Sequence, residues 1–397
     1  MNEQREVVVL SAVRTAVGKF GGALKDTPLT DLAAAVTRES VRRSGVAPNE
    51  INASVFGNVI HTDAKEMYLA RVAALGGGLS IETSAINVNR MCGSGLSAIL
   101  LAAVEVAHGD AVAAVGGGAE SMSRAPYWLP AMRWGARLND ASAVDILVGA
   151  LTDPFEGIHM GVTAEHVARR YYVTRQAQDE LAVESHRRAL DAIQTGRFTE
   201  QIVPIEIKIK GGTTPFATDE SPRKDATVEN LAKLKPAFDK DGTVTAGNSS
   251  SINDGAAALV LMERQAAVER GLKPMAKLVD YAVAGVEPGY MGIGPVPAVR
   301  HLLRRTGLTV DQIDVFEVNE AFAAQALAVV SELGFPPAKT NPNGSGISLG
   351  HPLGATGAIV TVKALHELRR IGGRYALVTM CIGGGQGIAA IFEAIYQ

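Results

Sequence analysis

Residues 45–58 read Gly45-Val-Ala-Pro-Asn-Glu-Ile51-Asn-Ala-Ser-Val-Phe-Gly-Asn58, and residues 307–319 read Gly307-Leu-Thr-Val-Asp-Gln-Ile313-Asp-Val-Phe-Glu-Val-Asn319. In both, a helix ends at glycine, a short turn follows, and Ile-Asn or Ile-Asp opens a Val-Phe strand. The chain therefore carries a duplication, and the elements after each copy extend it. In the first half, Cys92-Gly-Ser-Gly95 opens an apolar helix that leads to Asp110-Ala-Val-Ala-Ala-Val-Gly-Gly-Gly118. In the second, His351-Pro-Leu-Gly354 opens an apolar helix that leads to Tyr375-Ala-Leu-Val-Thr-Met-Cys-Ile-Gly-Gly-Gly385. Strands alternating with helical stretches predict α/β layers with mostly parallel strands. Two such halves, face to face, bring equivalent loops together at a pseudo-twofold axis, with Cys92 and His351 at matching positions.

Between the halves, residues 121–251 have a different character. They hold Trp128, Trp134, a helix after Thr174 with apolar positions Ala177, Leu181, Ala189 and Ile193, and a polar stretch from Lys208 to Asn248. This insertion reads as a loop domain lying over the site. The 397 residues are 47% hydrophobic and 20% charged, the balance of an ordinary globular protein of two or three domains. A net charge of −3 leaves no basic field for nucleic acid, so an anionic ligand needs a local patch. The N-terminus lacks the basic and apolar regions of a secretory signal, and the apolar run Met91 to Val104 reads as a buried helix too short for a bilayer. These features predict a cytoplasmic protein without membrane or nucleic-acid partners. Two cysteines make neither a structural disulfide nor a zinc site in a reducing compartment.

Four motifs carry chemistry. In Val88-Asn-Arg-Met-Cys92-Gly-Ser-Gly95 a strand gives way to a cysteine and glycines open a helix, where unpaired N–H groups stabilise a thiolate and can hold an oxyanion. His351 stands in a loop bounded by five glycines and is a natural base for a nearby thiol. Cys381 lies between a buried strand and the turn Gly383-Gly-Gly, whose N–H groups can face an anion. Asn319, closing the duplicated Val-Phe strand, offers an amide to position water or a carbonyl.

With these residues in view, the chain resembles the thiolases over essentially its full length. The matching segments are Asn89-Arg-Met-Cys-Gly-Ser-Gly, Gly116-Gly-Gly-Ala-Glu-Ser-Met-Ser, His159-Met-Gly-Val-Thr-Ala-Glu, Thr245-Ala-Gly-Asn-Ser-Ser, Asn319-Glu-Ala-Phe-Ala, Gly350-His-Pro-Leu-Gly and Cys381-Ile-Gly-Gly-Gly-Gln-Gly. Related condensing enzymes share the fold but lack the second cysteine motif. Within the family, the chain is most similar to bacterial β-ketothiolases and acetoacetyl-CoA thiolases that feed polyhydroxyalkanoate synthesis.

The resemblance implies a layered α-β-α-β-α fold. Its halves are 1–121 with 252–274 and 275–397, around a loop domain at 122–251 for CoA binding and tetramerisation. It implies a ping-pong acetyl-CoA C-acyltransferase in which Cys92 is acylated, His351 takes its proton and Cys381 removes the α-proton of a second acetyl-CoA. One oxyanion rests on the N–H groups of Cys92 and Gly383, the other on His351 and a water held by Asn319. The family's CoA-binding positions fall here on Leu151, His159, Met160, Arg223, Phe238, Ala246, Gly247, Ser250, Met291 and Phe322. Arg223 with Lys224 forms the local positive patch for CoA phosphates. The resemblance further implies CoA and acetyl-CoA as substrates with no permanently bound cofactor, a short acyl chain, and a homotetramer built from dimers, with Tyr127 to Arg137 as a tetramer contact. The rival reading is a β-ketoacyl synthase of the same fold, a class with no need for Cys381.

Overall fold

A computed structural model describes residues 5–396. The first half runs β1 (Val7–Thr15), α1 (Leu29–Ser44), β2 (Ile51–Gly57), α2 (Leu69–Gly76), β3 (Ser84–Val88), α3 (Ser94–His108) and β4 (Ala113–Ser121). The insertion contributes α4 (Met160–Arg170), α5 (Arg175–Gln194) and a hairpin of Ile205–Ile209 with Gly212–Phe216, after which β5 (Asn253–Glu263) completes the half. The second half runs β6 (Ala276–Gly285), α6 (Pro295–Thr306), β7 (Val315–Val318), α7 (Ala323–Leu333), α8 (Leu353–Ile371), β8 (Tyr375–Ile382) and β9 (Gln386–Ala394).

The long strands form one path, β7-β8-β9-β6-β1-β5-β4-β2-β3, whose halves meet where β1 bonds β6 through Val8 with Lys277 and Val9 with Ala276. Both sides of that seam repeat the same detail. A bulge between Val9 and Ser11 interrupts β1 against β5, and one between Leu278 and Asp280 interrupts β6 against β9. Helices α1 and α6 both end at a left-handed glycine, Gly45 at φ 74° and Gly307 at φ 70°. The duplication is thus structural as well as textual.

Strand direction departs from the expectation of mostly parallel pairing. Pairs β2/β3, β2/β4 and β7/β8 are parallel, whereas β1/β5, β5/β4, β6/β9 and β8/β9 are antiparallel. The last strand of each half lies antiparallel beside the strand that precedes it in that half-sheet. Between β8 and β9 the return is the turn Gly383–Gly385, where Gly384 and Gly385 hold φ of 82° and 84° that side chains disfavour. The glycine triplets equated in the sequence therefore differ in role, since Gly116–Gly118 lie inside β4.

Three apolar clusters make the layers. One packs α1 and α2 on the outer face of the first half-sheet, a second packs α6 and α7 on the second, and the third surrounds α3 and α8 between the two sheets. Strands β1 and β4 are buried along their whole length, as the unbroken Val7-Val-Val-Leu10 run requires. Helices α3 and α8 meet backbone to backbone. A Cβ on Gly95 would lie 2.8 Å from both Ala358 N and Gly354 O, and one on Gly357 would strike the backbone of Leu96.

Two expectations change here. The face that α5 buries is Gln178, Asp179, Ala182, Ser185, His186, Ala189 and Ala192, so of the four apolar positions only Ala189 is fully enclosed. The reason is that α5 packs on the polar loops around residues 320 and 345, where Ser185 bonds Glu320 and Ser348. The apolar stretch through α3 extends over Met91–His108, 18 residues that meet a bilayer's length, yet 61% of it is buried inside the protein. Its Leu101 and Val104 remain exposed.

Replacing Gly95 by alanine is expected to remove about 1–3 kcal/mol of stability through this forced overlap. The Gly149→Ala change, where no atom lies within 4 Å of the new methyl, is expected to be neutral or slightly stabilising. Denaturant unfolding of both variants checks the pair, and a Gly95→Ala protein as stable as the parent refutes the contact.

Candidate active site

Strand β3 ends at Val88, four residues short of the cysteine, and a tight turn fills the gap. Asn89 Oδ1 accepts from the Met91 N–H (2.9 Å), Gly93 N–H donates to Arg90 O (3.0 Å), and Ser94 Oγ accepts from Arg90 N–H (2.9 Å) and donates to Met91 O (2.6 Å). This net holds Met91 at φ 45°, a left-handed state that disfavours a side chain by roughly 1–2 kcal/mol. Cys92 is delivered two residues before α3, half-buried among Ile60, Met122, Leu147 and Leu353. Although part of Cys92 reaches the surface, protein encloses its sulfur closely. Burial pushes the thiol up to about 11, and the charge of Glu120 pushes the same way. The N–H groups of Gly383 and of Cys92 itself act in opposition by bonding the sulfur. The N–H groups expected at this helix start are therefore present, but burial outweighs them and the resting group is a thiol.

His351 stands two residues before α8, the same offset that Cys92 has from α3. Its loop is built from polar side chains acting as backbone. Asn341 accepts from Val318 N–H (2.8 Å) and donates to Val318 O (2.9 Å), pairing with β7 as a neighbouring strand would. Lys363, buried in α8, donates to Gly344 O (2.5 Å) and to Glu317 (2.8 Å). The His351 N–H donates to Asn253 Oδ1 (2.9 Å). The imidazole Nδ1 lies 2.7 Å from Thr356 Oγ1, whose own hydrogen goes to Pro352 O (2.9 Å). Nδ1 must then carry the ring hydrogen, which leaves the Nε2 lone pair as the base. Burial lowers His351 to about 4, so the imidazole is neutral at physiological pH. Asn319 brings Nδ2 to 3.5 Å from the ring nitrogens, and its buried Oδ1 has no hydrogen-bond partner among the described residues.

Cys381 is the penultimate residue of β8 and fully buried. Burial, then the nearby Cys92 sulfur, raise its thiol far above the usual range, so the two sulfurs share one electrostatic site. Around it pack Met160, Met291 and Phe322, with Phe238 at the edge. His159 stacks on Phe238 at 4.7 Å between ring centroids, and Phe238 meets Phe322 edge-on at 6.0 Å. Arg223, Ala246 and Gly247 line a separate cavity of about 270 Å³ with Lys19, His186 and Ser249. Ser250 ties that cavity to the Asn319 loop by donating its N–H to Ala321 O (2.9 Å), while Leu151 packs in the Cys92 cluster.

The structure thus gathers the sequence-derived residues into a sulfur centre, an aromatic and methionine wall, and a cavity with Arg223 on its rim. Sequence reasoning passed over Thr356, Asn253, Lys19, His186 and Glu120. Thr356 stands five residues after His351 in Gly354-Ala-Thr-Gly357 and could have been found from its spacing. Glu120 lies within the segment Gly116-Gly-Gly-Ala-Glu-Ser-Met-Ser and was within reach of the same reading, whereas Asn253, Lys19 and His186 come from elements distant in sequence and leave no local signal.

Residues 7–265 match the thiolase N-terminal domain family and residues 272–394 the thiolase C-terminal domain family. Beta-ketothiolase BktB of Cupriavidus necator is 62% identical over 98% of this chain and 100% of its own length. The crystal structure of Bacillus anthracis acetyl-CoA acetyltransferase superposes with a TM-score of 0.97 at 46% identity, covering 100% of both chains. Human mitochondrial 3-ketoacyl-CoA thiolase in complex with CoA superposes at 0.95 with 41% identity, covering 99% of each. The chain belongs to the thiolase family and is an acyltransferase of that fold.

Proposed function

We propose that this acyltransferase interconverts short β-ketoacyl-CoA and CoA with acetyl-CoA and a second acyl-CoA, through an acyl-enzyme on Cys92. The observation that carries the reading is the closeness of the two cysteine segments: a Cβ on Gly93, next to Cys92, would lie 2.6 Å from the side chain of Ile382, next to Cys381, and each segment is a cysteine at the mouth of a glycine turn. A β-ketoacyl synthase has no use for the second sulfur.

The chemistry balances with three groups. In thiolysis, His351 Nε2 takes the Cys92 proton as the sulfur adds to the keto carbon, and the adjoining carbon–carbon bond breaks. The departing carbanion takes the proton of Cys381 and leaves as acetyl-CoA. Incoming CoA gives its thiol proton to Cys381 and displaces the acyl group, and Cys92 recovers its proton from His351. Condensation is the reverse, so the Cys381 thiolate forms only when the first CoA leaves with its proton. That timing suits a thiol so strongly raised: scarce as a thiolate at rest, and strongly basic once formed. An oxygen on a carbon bound to Cys92 falls beside the Cys92 and Gly383 N–H groups, and the second oxyanion beside His351 and the amide of Asn319.

CoA is a substrate in this reading. Its phosphates lie at Arg223 and Lys19, and its pantetheine passes Ala246, Gly247 and Ser250 toward the wall of His159, Met160, Phe238, Met291 and Phe322, with Leu151 beside the nucleophile. The methionines and aromatics crowd the base and favour short acyl groups. Residues 122–251 form the CoA-binding unit between halves 1–121 with 252–274 and 275–397. Two apolar surfaces support a homotetramer built as a dimer of dimers. One is the edge strand β3 with Ile86, 52% exposed, beside exposed Ile81, and the other is the segment with Tyr127, Trp128 and Trp134, the last 86% exposed.

CoA-dependent loss of acetoacetyl-CoA is expected in the native enzyme and to fall by at least about a thousandfold in Cys92→Ser; no turnover with any β-ketoacyl-CoA overturns the reading. Since neutral His351 and the Cys92 thiol coexist between about 4 and about 11, kcat/KM is expected to stay flat from mildly acidic to mildly basic pH. An inflection centred near the ordinary histidine value would contradict the buried neutral base. Deleting residues 127–137 is expected to leave dimers in light scattering, and a surviving tetramer removes that segment from the interface.

A further inference from the structure

Glu120 has no part in the chemistry above, yet it is completely buried beside the nucleophile. Its place in the duplication is informative. Gly57 of β2 pairs with Gly118 of β4, and Val318 of β7 pairs with Thr379 of β8. Asn58 and Asn319 follow the first members of these pairs, and two residues beyond the second members stand Glu120 and Cys381. Glu120 therefore occupies in the first half the position that the base occupies in the second.

Its carboxylate is saturated with donors. Oε1 accepts from Asn58 Nδ2 (2.7 Å) and Ile60 N–H (3.1 Å), and Oε2 from Val59 N–H (3.0 Å) and Gly354 N–H (2.7 Å). Asn58 Nδ2 also touches the carbonyls of Ile60 and Ala119, both at 3.2 Å, which fixes its orientation as a donor. Burial works against the charge and raises Glu120, while the N–H groups of Ile60, Gly354 and Val59 pull it down. All four partners donate, however, and none could accept a carboxyl proton, so the group is a carboxylate. Gly354 is the second residue of α8, three residues after His351, and its N–H is one that the helix itself cannot satisfy. The charged and titratable groups around this point are Glu66, from the turn Ala64–Tyr68, and Cys92, with Cys381 facing Cys92 from β8 and His351 preceding α8.

We propose that Glu120 is a positioning residue for the Cys92–His351 pair: its carboxylate clamps the first turn of α8, just after His351, to the 58–60 loop, whose Ile60 packs against Cys92. The inference rests on the thiolase reading, with native turnover and its loss in Cys92→Ser as the separate check on that reading. Glu120→Gln removes the charge and turns an amide N–H₂ toward donors. It is expected to lower kcat by about a hundredfold with KM for acyl-CoA within about twofold, as misplacement of a catalytic group does. Alkylation of Cys92 by iodoacetamide, followed on the Cys92 peptide and independent of turnover, is expected to run faster at neutral pH as the thiol loses a neighbouring negative charge, which also shows that the site has folded around it. Glu120→Asp keeps the charge but shortens the reach, so it is expected to lose kcat while its alkylation profile overlays the parent's. This second variant also carries the test if Glu120→Gln does not fold. Undiminished kcat in either variant overturns the clamp.

Discussion

The contact on which the site depends is the close approach of α3 and α8. Each helix starts two residues after a reactive side chain, Cys92 or His351, so the distance between the helix starts sets the distance between nucleophile and base. That distance is small only because glycines meet there. Gly95 faces the backbone of Gly354 and Ala358, Gly118 of β4 lies under both helices, and Gly57 of β2 presses on Ser94 and Gly95. A methyl group at any of them would wedge the layer apart, and interiors packed at crystal density have no slack to absorb it.

With the two half-sheets closed around that layer, water is largely excluded, and the electrostatics follow. Burial raises both thiols and lowers the imidazole, so the resting site holds neutral groups rather than a thiolate–imidazolium pair. Charge must then appear together with the bonds that use it, in front of N–H groups already in place. The same exclusion explains why the loops are tied by buried polar side chains. Asn341, Lys363, Asn253 and Thr356 each satisfy backbone or ring atoms that no solvent reaches, which fixes the tautomer and placement of His351 without leaving its lone pair occupied.

Much of this was legible in the sequence for a physical reason: duplicated glycines, caps and strand ends are local signals, and they survive without knowledge of the fold. Gly45 and Gly307 announced the helix ends, Asn58 and Asn319 the strand ends, and the residues before the glycine-opened helices the reactive groups. What failed were long-range quantities. Strand direction depended on how β5 and β9 return to their sheets, and the buried face of α5 depended on polar loops far away in the chain. The sign of the Cys92 shift required weighing burial against dipoles, which a helix start alone cannot do.

The duplication also shows how a symmetric scaffold acquires an asymmetric site. At the ends of β2 and β7 both halves keep an asparagine, each with a buried Oδ1 that has no partner among the described residues. Two residues past the paired strand positions they differ, with a carboxylate in one half and a thiol in the other. A carboxylate in the second position too would put a second buried charge beside Cys92, and like charges in a dry site oppose each other strongly. A thiol there stays neutral until the reaction needs a base. The first half can hold the carboxylate because α8, arriving from the second half, offers it the N–H of Gly354. The asymmetry is stable because the second half supplies the donor that the first half's carboxylate requires, while the thiol of the second half needs none until it reacts.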